Sequence, residues 1–157
     1  DPKMKPRMAA NDPPNDPPNG TKCHSGRAQT THWMIPNDLL EDTIFGKITR
    51  GEIPTDFLYE DDLCVVIKDI YPQAPTHVLI IPRKPISMLS MASEEDQSLL
   101  GHLLVVAGKV ADQLGVADAF RLVINNGAGG GQTVFHLHLH ILAGRDMKEG
   151  ELASGLA

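Results

Sequence analysis

The chain has 157 residues with a formal net charge of -6 at pH 7, and 41% of the residues are hydrophobic. This length suits one domain with a real core, the negative charge argues against general nucleic-acid binding, and no apolar run approaches the length of a membrane span. The only cysteines, Cys23 and Cys64, are too few for a disulfide framework. We therefore expect a reducing, cytoplasmic or nuclear compartment.

The first 36 residues differ in composition from the rest of the chain. They contain a tandem Asn-Asp-Pro-Pro repeat at Asn11–Pro18 and few apolar residues. Proline fixes φ and removes a hydrogen-bond donor, and sparse apolar residues cannot offset the entropy lost on ordering. We expect residues 1–36 to be a disordered or loosely docked extension, residues 37–147 to form the domain, and residues 148–157 to be a short tail.

Deleting the residues before Pro36 should leave the folding and activity of the domain nearly intact. The reason is that this segment lacks apolar periodicity. Thermal melting of the truncated and full chains checks the prediction. A large drop in the melting temperature on truncation would mean that the extension is docked, with Trp33 as the anchor.

The domain reads as alternating short strands and two helices. Thr43–Arg50 is typical of a short helix with Asp42 as its N-cap and Gly51 after its end. The longer helix spans Ser93–Leu114, with Ser93 and Asp96 as a capping box. Strands are predicted at Phe57–Glu60, Cys64–Lys68, His77–Pro82, Arg121–Asn125 and Phe135–Leu142. The pattern predicts an α+β fold: a mostly antiparallel five-stranded sheet with two helices packed on one face.

The last predicted strand carries the most informative pattern. Three histidines, His136, His138 and His140, alternate with large aliphatic residues. Alternation predicts a half-buried strand whose imidazoles share one face. The row fits a nucleophile flanked by proton-handling neighbours, a metal site, or a structural set of hydrogen-bonded rings. These residues favour the nucleophile and leave the other two open.

A glycine-rich turn precedes the histidines at residues 126–132. Successive backbone N–H groups in such a turn form an anion-binding concavity, and a glycine lets the backbone approach an oxyanion closely. Gln132 and Thr133 would add side-chain donors at its mouth. A phosphate held there would face the imidazole row.

A fourth histidine, His77, ends the run Pro-Gln-Ala-Pro-Thr-His at the start of a predicted buried strand. Together with His-x-His-x-His, this run resembles the histidine triad (HIT) superfamily. The resemblance extends from Asp42 to Arg145 and includes the segments Asp42–Ile48, Gly51–Pro54, Glu60–Asp62 and Gly130–His136. The pattern is most similar to the Hint branch, the histidine triad nucleotide-binding or protein kinase C-interacting proteins.

The resemblance implies a HIT-like fold that dimerises into a continuous sheet, and an enzyme that needs no cofactor. The implied enzyme hydrolyses adenosine 5′-phosphoramidates or aminoacyl-adenylates to AMP. His138 would attack the α-phosphorus, His140 would contact the phosphate, and His77 would support the proton network. The carbonyl of His136 would fix the tautomer of His138, and Thr133 would assist the leaving group.

The nucleotide-binding residues also follow from the resemblance. Asp69 would bind the ribose hydroxyls, while Asn125, Gly131 and Gln132 would hold phosphate oxygens. An apolar purine slot would comprise Ile44, Phe45, Ile48, Ile53 and Ile70. Ordinary core packing is an equally weighted reading of each apolar residue of the slot.

Departures from the family pattern leave leaving-group preference and metal binding open. Thr133 replaces the usual serine, Pro85 replaces a second histidine of many relatives, and the C-terminal tail lacks tryptophan. Some HIT proteins hold zinc through a Cys-x-x-Cys pair, but the corresponding residues here are Thr43 and Gly46, so we predict no resident structural zinc. Two rival functions remain: a dinucleoside polyphosphate hydrolase, and a signalling scaffold with residual nucleotide binding.

Overall fold

The computed structural model describes residues 43–151, and these form one antiparallel sheet with two helices. In chain order the elements are α1 (Ile44–Thr49), β1 (Tyr59–Glu60), β2 (Cys64–Lys68), β3 (Thr76–Pro82), α2 (Gln97–Gln113), β4 (Phe120–Val123) and β5 (Leu139–Ala143). The strand order is β1-β2-β3-β5-β4, and every neighbouring pair is antiparallel. The predicted five-stranded α+β architecture is confirmed. Among residues 43–151, no helix is long and apolar enough to cross a membrane.

The two helices cover opposite faces of the sheet, so the prediction that both pack on one face is wrong. Phe45 and Ile48 of α1 pack against one set of alternate strand residues, and α2 packs against the other set. Burial on both faces explains why β2 and β3 are continuously apolar rather than alternating. The set under α1 comprises Val65, Ile67, Leu79 and Ile81, and the set under α2 includes Cys64, Val66, Val78, Ile80, Leu139 and Ile141.

Local signals set the helix ends. Thr43 is the N-cap of α1, because its Oγ1 accepts from the backbone N–H of Gly46 at 3.1 Å. The predicted cap, Asp42, lies outside the described residues. Gly51 follows the helix with a φ of +76°, as the sequence predicted. The Ser93–Asp96 capping box is present, but it begins a 3₁₀ turn, and α2 itself starts at Gln97.

Strand β5 begins at Leu139 rather than at the predicted Phe135. Its last ladder partner in β3 is Ile80, opposite Leu139. Before that point the backbone N–H of Leu137 donates to the carbonyl of Ile86 at 2.6 Å, outside the sheet. His140 is therefore a strand residue, while His136 lies in a bend and His138 lies in the irregular residues just before the strand.

Candidate active site

His138 is held in one tautomer on the sheet face that carries α1. Its Nδ1 lies 2.7 Å from the carbonyl oxygen of His136, and a carbonyl only accepts, so Nδ1 carries the hydrogen. The basic lone pair of the neutral ring is then on Nε2. The ring is 3% exposed and meets the ring of Phe45 edge-on, with the centroids 4.8 Å apart. Nε2 is thereby prepared as a base or a nucleophile.

His140 and His77 form a second, directional hydrogen-bonded pair. The backbone N–H of Gln73 donates to Nδ1 of His77 at 3.0 Å, so the hydrogen of His77 must be on Nε2. That Nε2 lies 2.9 Å from Nδ1 of His140 and donates to it. Because Nδ1 of His140 accepts this hydrogen bond, the N–H hydrogen of the His140 ring is on Nε2. The ring centroids of His138 and His140 are 5.0 Å apart. The basic Nε2 of His138 and the donor Nε2–H of His140 therefore belong to neighbouring rings.

Asp69 adds a carboxylate near this pair. Its Oδ2 lies 3.4 Å from Nε2 of His77, and its Oδ1 accepts from the backbone N–H of Tyr71 at 2.8 Å. The ligand atoms of Asp69, His77 and His140 lie within 4.8 Å of one another, a spacing that could hold a metal ion. In the structure His77 and His140 are hydrogen-bonded to each other at this spacing.

His136 is a structural member of the triad. Its Nε2 donates to the carbonyl of Pro82 at 2.7 Å, and the ring is fully buried. Its Nδ1 has no hydrogen-bond partner among the residues that the structure describes. The ring anchors the segment whose carbonyl orients His138, so His136 contributes through its backbone as well as its side chain.

Burial lowers the pKa of both His77 and His136. The negative charge of Asp69 partly raises the pKa of His77 again, and the hydrogen bond to the carbonyl of Pro82 partly raises that of His136. Both rings therefore stay neutral in the folded protein near pH 7.

Stability should consequently fall as the pH drops below about 6.5, because these two histidines take up protons in the unfolded chain before they do so in the folded one. Denaturant unfolding at pH 8, 6 and 5 measures this slope. An unfolding free energy that stays constant down to pH 5 would contradict the assignment of neutral, buried rings.

The glycine turn is more self-contained than the sequence predicted. The N–H groups of Gly130, Gly131 and Gln132 donate to the carbonyls of Gly127 and Ala128 at 3.0–3.1 Å. These three donors close the turn on itself and do not form the expected open nest.

The side chain of Gln132 also differs from its predicted role as a phosphate ligand. It is 3% exposed, its Oε1 accepts from Gly127, and its Nε2 donates to the carbonyls of Ser87 and Val134. Both amide hydrogens are spent, so Gln132 fastens the turn to the segment after β3.

The remaining predicted residues differ in burial, and Phe45 among them contacts a histidine of the triad. Thr133 is exposed, whereas Asn125 is half-buried and lines, with Gly130, a cavity of about 610 Å³. Gly131 adopts a φ of +93°, which favours glycine. Among the predicted purine-slot residues, Phe45 and Ile48 belong to the core under α1 and Ile53 packs against it. Ile44 and Ile70 are 51% and 81% exposed.

Two backbone groups that the sequence analysis missed complete the site. The N–H of Gln73 sets the tautomer of His77, and the carbonyl of Pro82 holds His136. Backbone groups exist at every position, so no residue type marks them. The Gln73 contact is local, four residues from His77, whereas the contact between Pro82 and His136 joins residues 54 positions apart.

Comparison with known proteins agrees with this geometry. The sequence matches the HIT domain family over residues 50–147. An uncharacterised HIT-like protein of Synechocystis sp. is 65% identical over 107 residues, covering 68% of this chain and 94% of that protein. The purine nucleoside phosphoramidase of Escherichia coli is 48% identical over 110 residues, covering 69% and 92% of the two chains. A HIT family hydrolase from Clostridium thermocellum has a similar solved structure, with a TM-score of 0.69, 44% identity, and coverage of 71% and 98%.

A five-stranded antiparallel sheet with His77, His136, His138 and His140 clustered on it defines an α+β class of histidine-cluster proteins. The chain belongs to the HIT domain family.

Proposed function

We propose that this protein is a purine nucleotide-binding hydrolase that cleaves adenosine 5′-phosphoramidates or aminoacyl-adenylates and releases AMP. The observation that carries the proposal is the 2.7 Å bond from Nδ1 of His138 to the carbonyl of His136, which makes Nε2 the basic nitrogen. The phosphoramidase name of the relative from E. coli supports the substrate class. The HIT domain itself is proposed to span residues 37–147.

The proposed reaction has two displacements at the α-phosphorus. In the first, Nε2 of His138 forms a bond to phosphorus and the bond to the leaving group breaks. An amine departs with a proton that solvent supplies through the hydroxyl of Thr133, whereas the carboxylate of an aminoacyl group departs without one. In the second, water forms a bond to phosphorus, the bond to Nε2 breaks, and AMP leaves while a proton goes to solvent. Covalent catalysis of this kind replaces one difficult step by two easier ones.

The other residues bind and orient the substrate in this proposal. Nε2–H of His140 donates to a phosphoryl oxygen as charge builds in the transition state. Asn125 and the residues just before His136 hold the other phosphoryl oxygens, and the hydroxyl of Thr133 contacts the leaving group. Asp69 accepts from the ribose hydroxyls, since each carboxylate oxygen has a second lone pair beyond its present contact.

The apolar side chains would hold the base beside the triad. Phe45 touches the ring of His138, and the exposed side chains of Ile44 and Ile70 offer surface that a purine can cover. The buried Ile48 acts in the core under α1, where it supports Phe45. The slot is thus proposed to be shallower than the five residues of the sequence prediction suggest.

A substrate comparison tests the proposal. The purified full chain is incubated with an adenosine phosphoramidate and, separately, with a diadenosine polyphosphate, and AMP release is measured. Faster turnover of the phosphoramidate is expected. Faster turnover of the diadenosine compound would favour the dinucleoside polyphosphate hydrolase, and AMP binding without turnover of either would favour the scaffold.

We also propose a twofold homodimer formed through β4 and α2. Strand β4 is an open sheet edge, which is a liability unless it is paired, and pairing two copies would continue the sheet. Leu104 and Val105 of α2 are more than half exposed. Beside them lies an apolar cavity of about 260 Å³ that is lined by Leu89, Leu100, Leu103, Leu104, Ile124, Leu137 and Leu139.

Light scattering at micromolar concentration should therefore give the mass of two chains. Leu104→Lys should shift the protein toward the monomer, because it places a charge on the proposed apolar contact. Leu63→Lys is the matched control, since Leu63 is 44% exposed in the turn at the opposite edge of the sheet. A stable monomer of the unaltered chain would refute the dimer.

A further inference from the structure

A second group of metal-ligating side chains lies outside the active site, where β2 meets α2. Asp61 lies in the turn between β1 and β2, Cys64 is the first residue of β2, and His102 is on α2. The ligand atoms of the three side chains all lie within 4.8 Å of one another. The group is distinct from the histidine site, because Cys64 belongs to the core under α2.

The carboxylate of this group also has a structural role. Oδ1 of Asp61 accepts from the backbone N–H groups of Leu63 and Cys64 at 2.8 Å, which closes the turn. Oδ2 lies 2.6 Å from Nε2 of His102 and accepts from the hydroxyl of Tyr59 at 2.9 Å. The thiol of Cys64 also hydrogen-bonds to Asp61, so sulfur, carboxylate and imidazole meet at one point.

We propose that Asp61, Cys64 and His102 form an exchangeable site for one thiophilic divalent cation of the zinc type. Carboxylate oxygen, thiolate sulfur and imidazole nitrogen are all common zinc ligands. Tetrahedral zinc with its usual bond lengths separates such ligand atoms by roughly 3.3–3.6 Å. The Asp61–His102 contact, now 2.6 Å, would widen by less than about 1 Å, and the two distances to sulfur, which are at most 4.8 Å, would shorten by at most about 1.5 Å. Water supplies the fourth ligand.

The net charge of the filled site and the solvent exposure of two of its ligands both favour cation binding there. A thiolate and a carboxylate neutralise a divalent cation, so the filled site has no net charge. The side chains of His102 and Asp61 are 28% and 23% exposed, whereas Cys64 is fully buried. An ion can enter between the first two and bind the sulfur at the inner end.

The neighbouring cation weakens binding without blocking it. Nε of Arg83 donates to the backbone carbonyl of Asp61 at 2.9 Å, and the guanidinium also lies 3.3 Å from Oε2 of Glu60. Glu60 thus offsets part of the positive charge that faces the site.

Binding must release the thiol proton. Burial, followed by the nearby Asp61, raises the pKa of Cys64 to about 12, so the empty site holds a thiol. On binding, the S–H bond breaks, a metal–sulfur bond forms, the proton goes to solvent, and no electron is transferred. An ion held this way exchanges, which is compatible with the prediction of no resident structural zinc.

Cobalt(II) titration of the full chain tests the proposal, because thiolate-bound cobalt absorbs in the near ultraviolet. One cobalt per chain should produce this band, and zinc should displace it. Cobalt at Asp69, His77 and His140 gives no such band, since that group has no sulfur. Cys23→Ser is the matched control and should keep the band, whereas Cys64→Ser should abolish it.

His102→Gln provides a second test that leaves the core intact. It should weaken cobalt binding by at least about tenfold, because it removes one ligand on a partly exposed helix position. Circular dichroism verifies that each variant is folded. The proposal is overturned by absence of the band in the unaltered chain, by its persistence in Cys64→Ser, by its loss in Cys23→Ser, or by unchanged affinity in His102→Gln.

Discussion

His138→Ala should reduce phosphoramidate turnover on the order of 10⁴-fold or more, the scale expected when a covalent nucleophile is removed. The ring supplies the nitrogen that would bond to phosphorus, and its tautomer is set by the carbonyl of His136. AMP binding should survive, because the proposed purine and phosphate contacts come from other residues. Steady-state kinetics and AMP titration of the same preparation separate the two effects.

Rapid quenching followed by mass spectrometry should place an AMP adduct on His138 of the unaltered chain. His102→Gln is a suitable histidine control for activity, since His102 contacts Asp61 on the other side of the sheet. An adduct on His136 or His140, or near-normal activity of His138→Ala, would refute the mechanism.

Thr133→Val should slow phosphoramidates by about 10²- to 10⁴-fold, the range attributed to proton-transfer assistance. Valine keeps the branched shape and removes the hydroxyl, and Thr133 is exposed where a leaving group can reach it. An amine leaves poorly without a proton, whereas an acidic leaving group needs little help. The ratio of kcat/KM for the two substrate types is therefore the informative measurement.

Thr133→Ser keeps the hydroxyl and serves as the control, with a rate close to that of the unaltered chain. Equal slowing of both substrate types by Thr133→Val would point to a loss of binding or packing and would contradict the assigned role.

The sequence was sufficient to predict the strands and helices, but not which face of the sheet each helix covers. The consecutive apolar residues of β2 and β3 indicate burial on both faces of the sheet, but they do not indicate which helix covers which face. The start of β5 could not be read from alternation, because His136 and Leu139 continue one pattern across the strand boundary. That boundary depends on the long-range pairing of Leu137 with Ile86.

For the site, spacing predicted the histidine cluster but not the hydrogen bonds that give each ring its role. The resemblance supplied the contact from His138 to the carbonyl of His136, and the structure has it. The side chain of Gln132 was assigned to phosphate because an amide near a glycine turn suits an anion. Its actual partners include Ser87, 45 residues away in the chain, which no local pattern indicates.

The backbone N–H of Gln73 determines which nitrogen of His77 holds a hydrogen, and through His77 it determines the same for His140. This contribution does not depend on the identity of the side chain at position 73. Nineteen of the twenty standard amino acids supply the same N–H, and only proline lacks it. Alanine scanning would therefore classify position 73 as dispensable, although its amide orients two histidines of the site. Substitution by proline, or replacement of the amide by an ester, is the change that would reveal its importance.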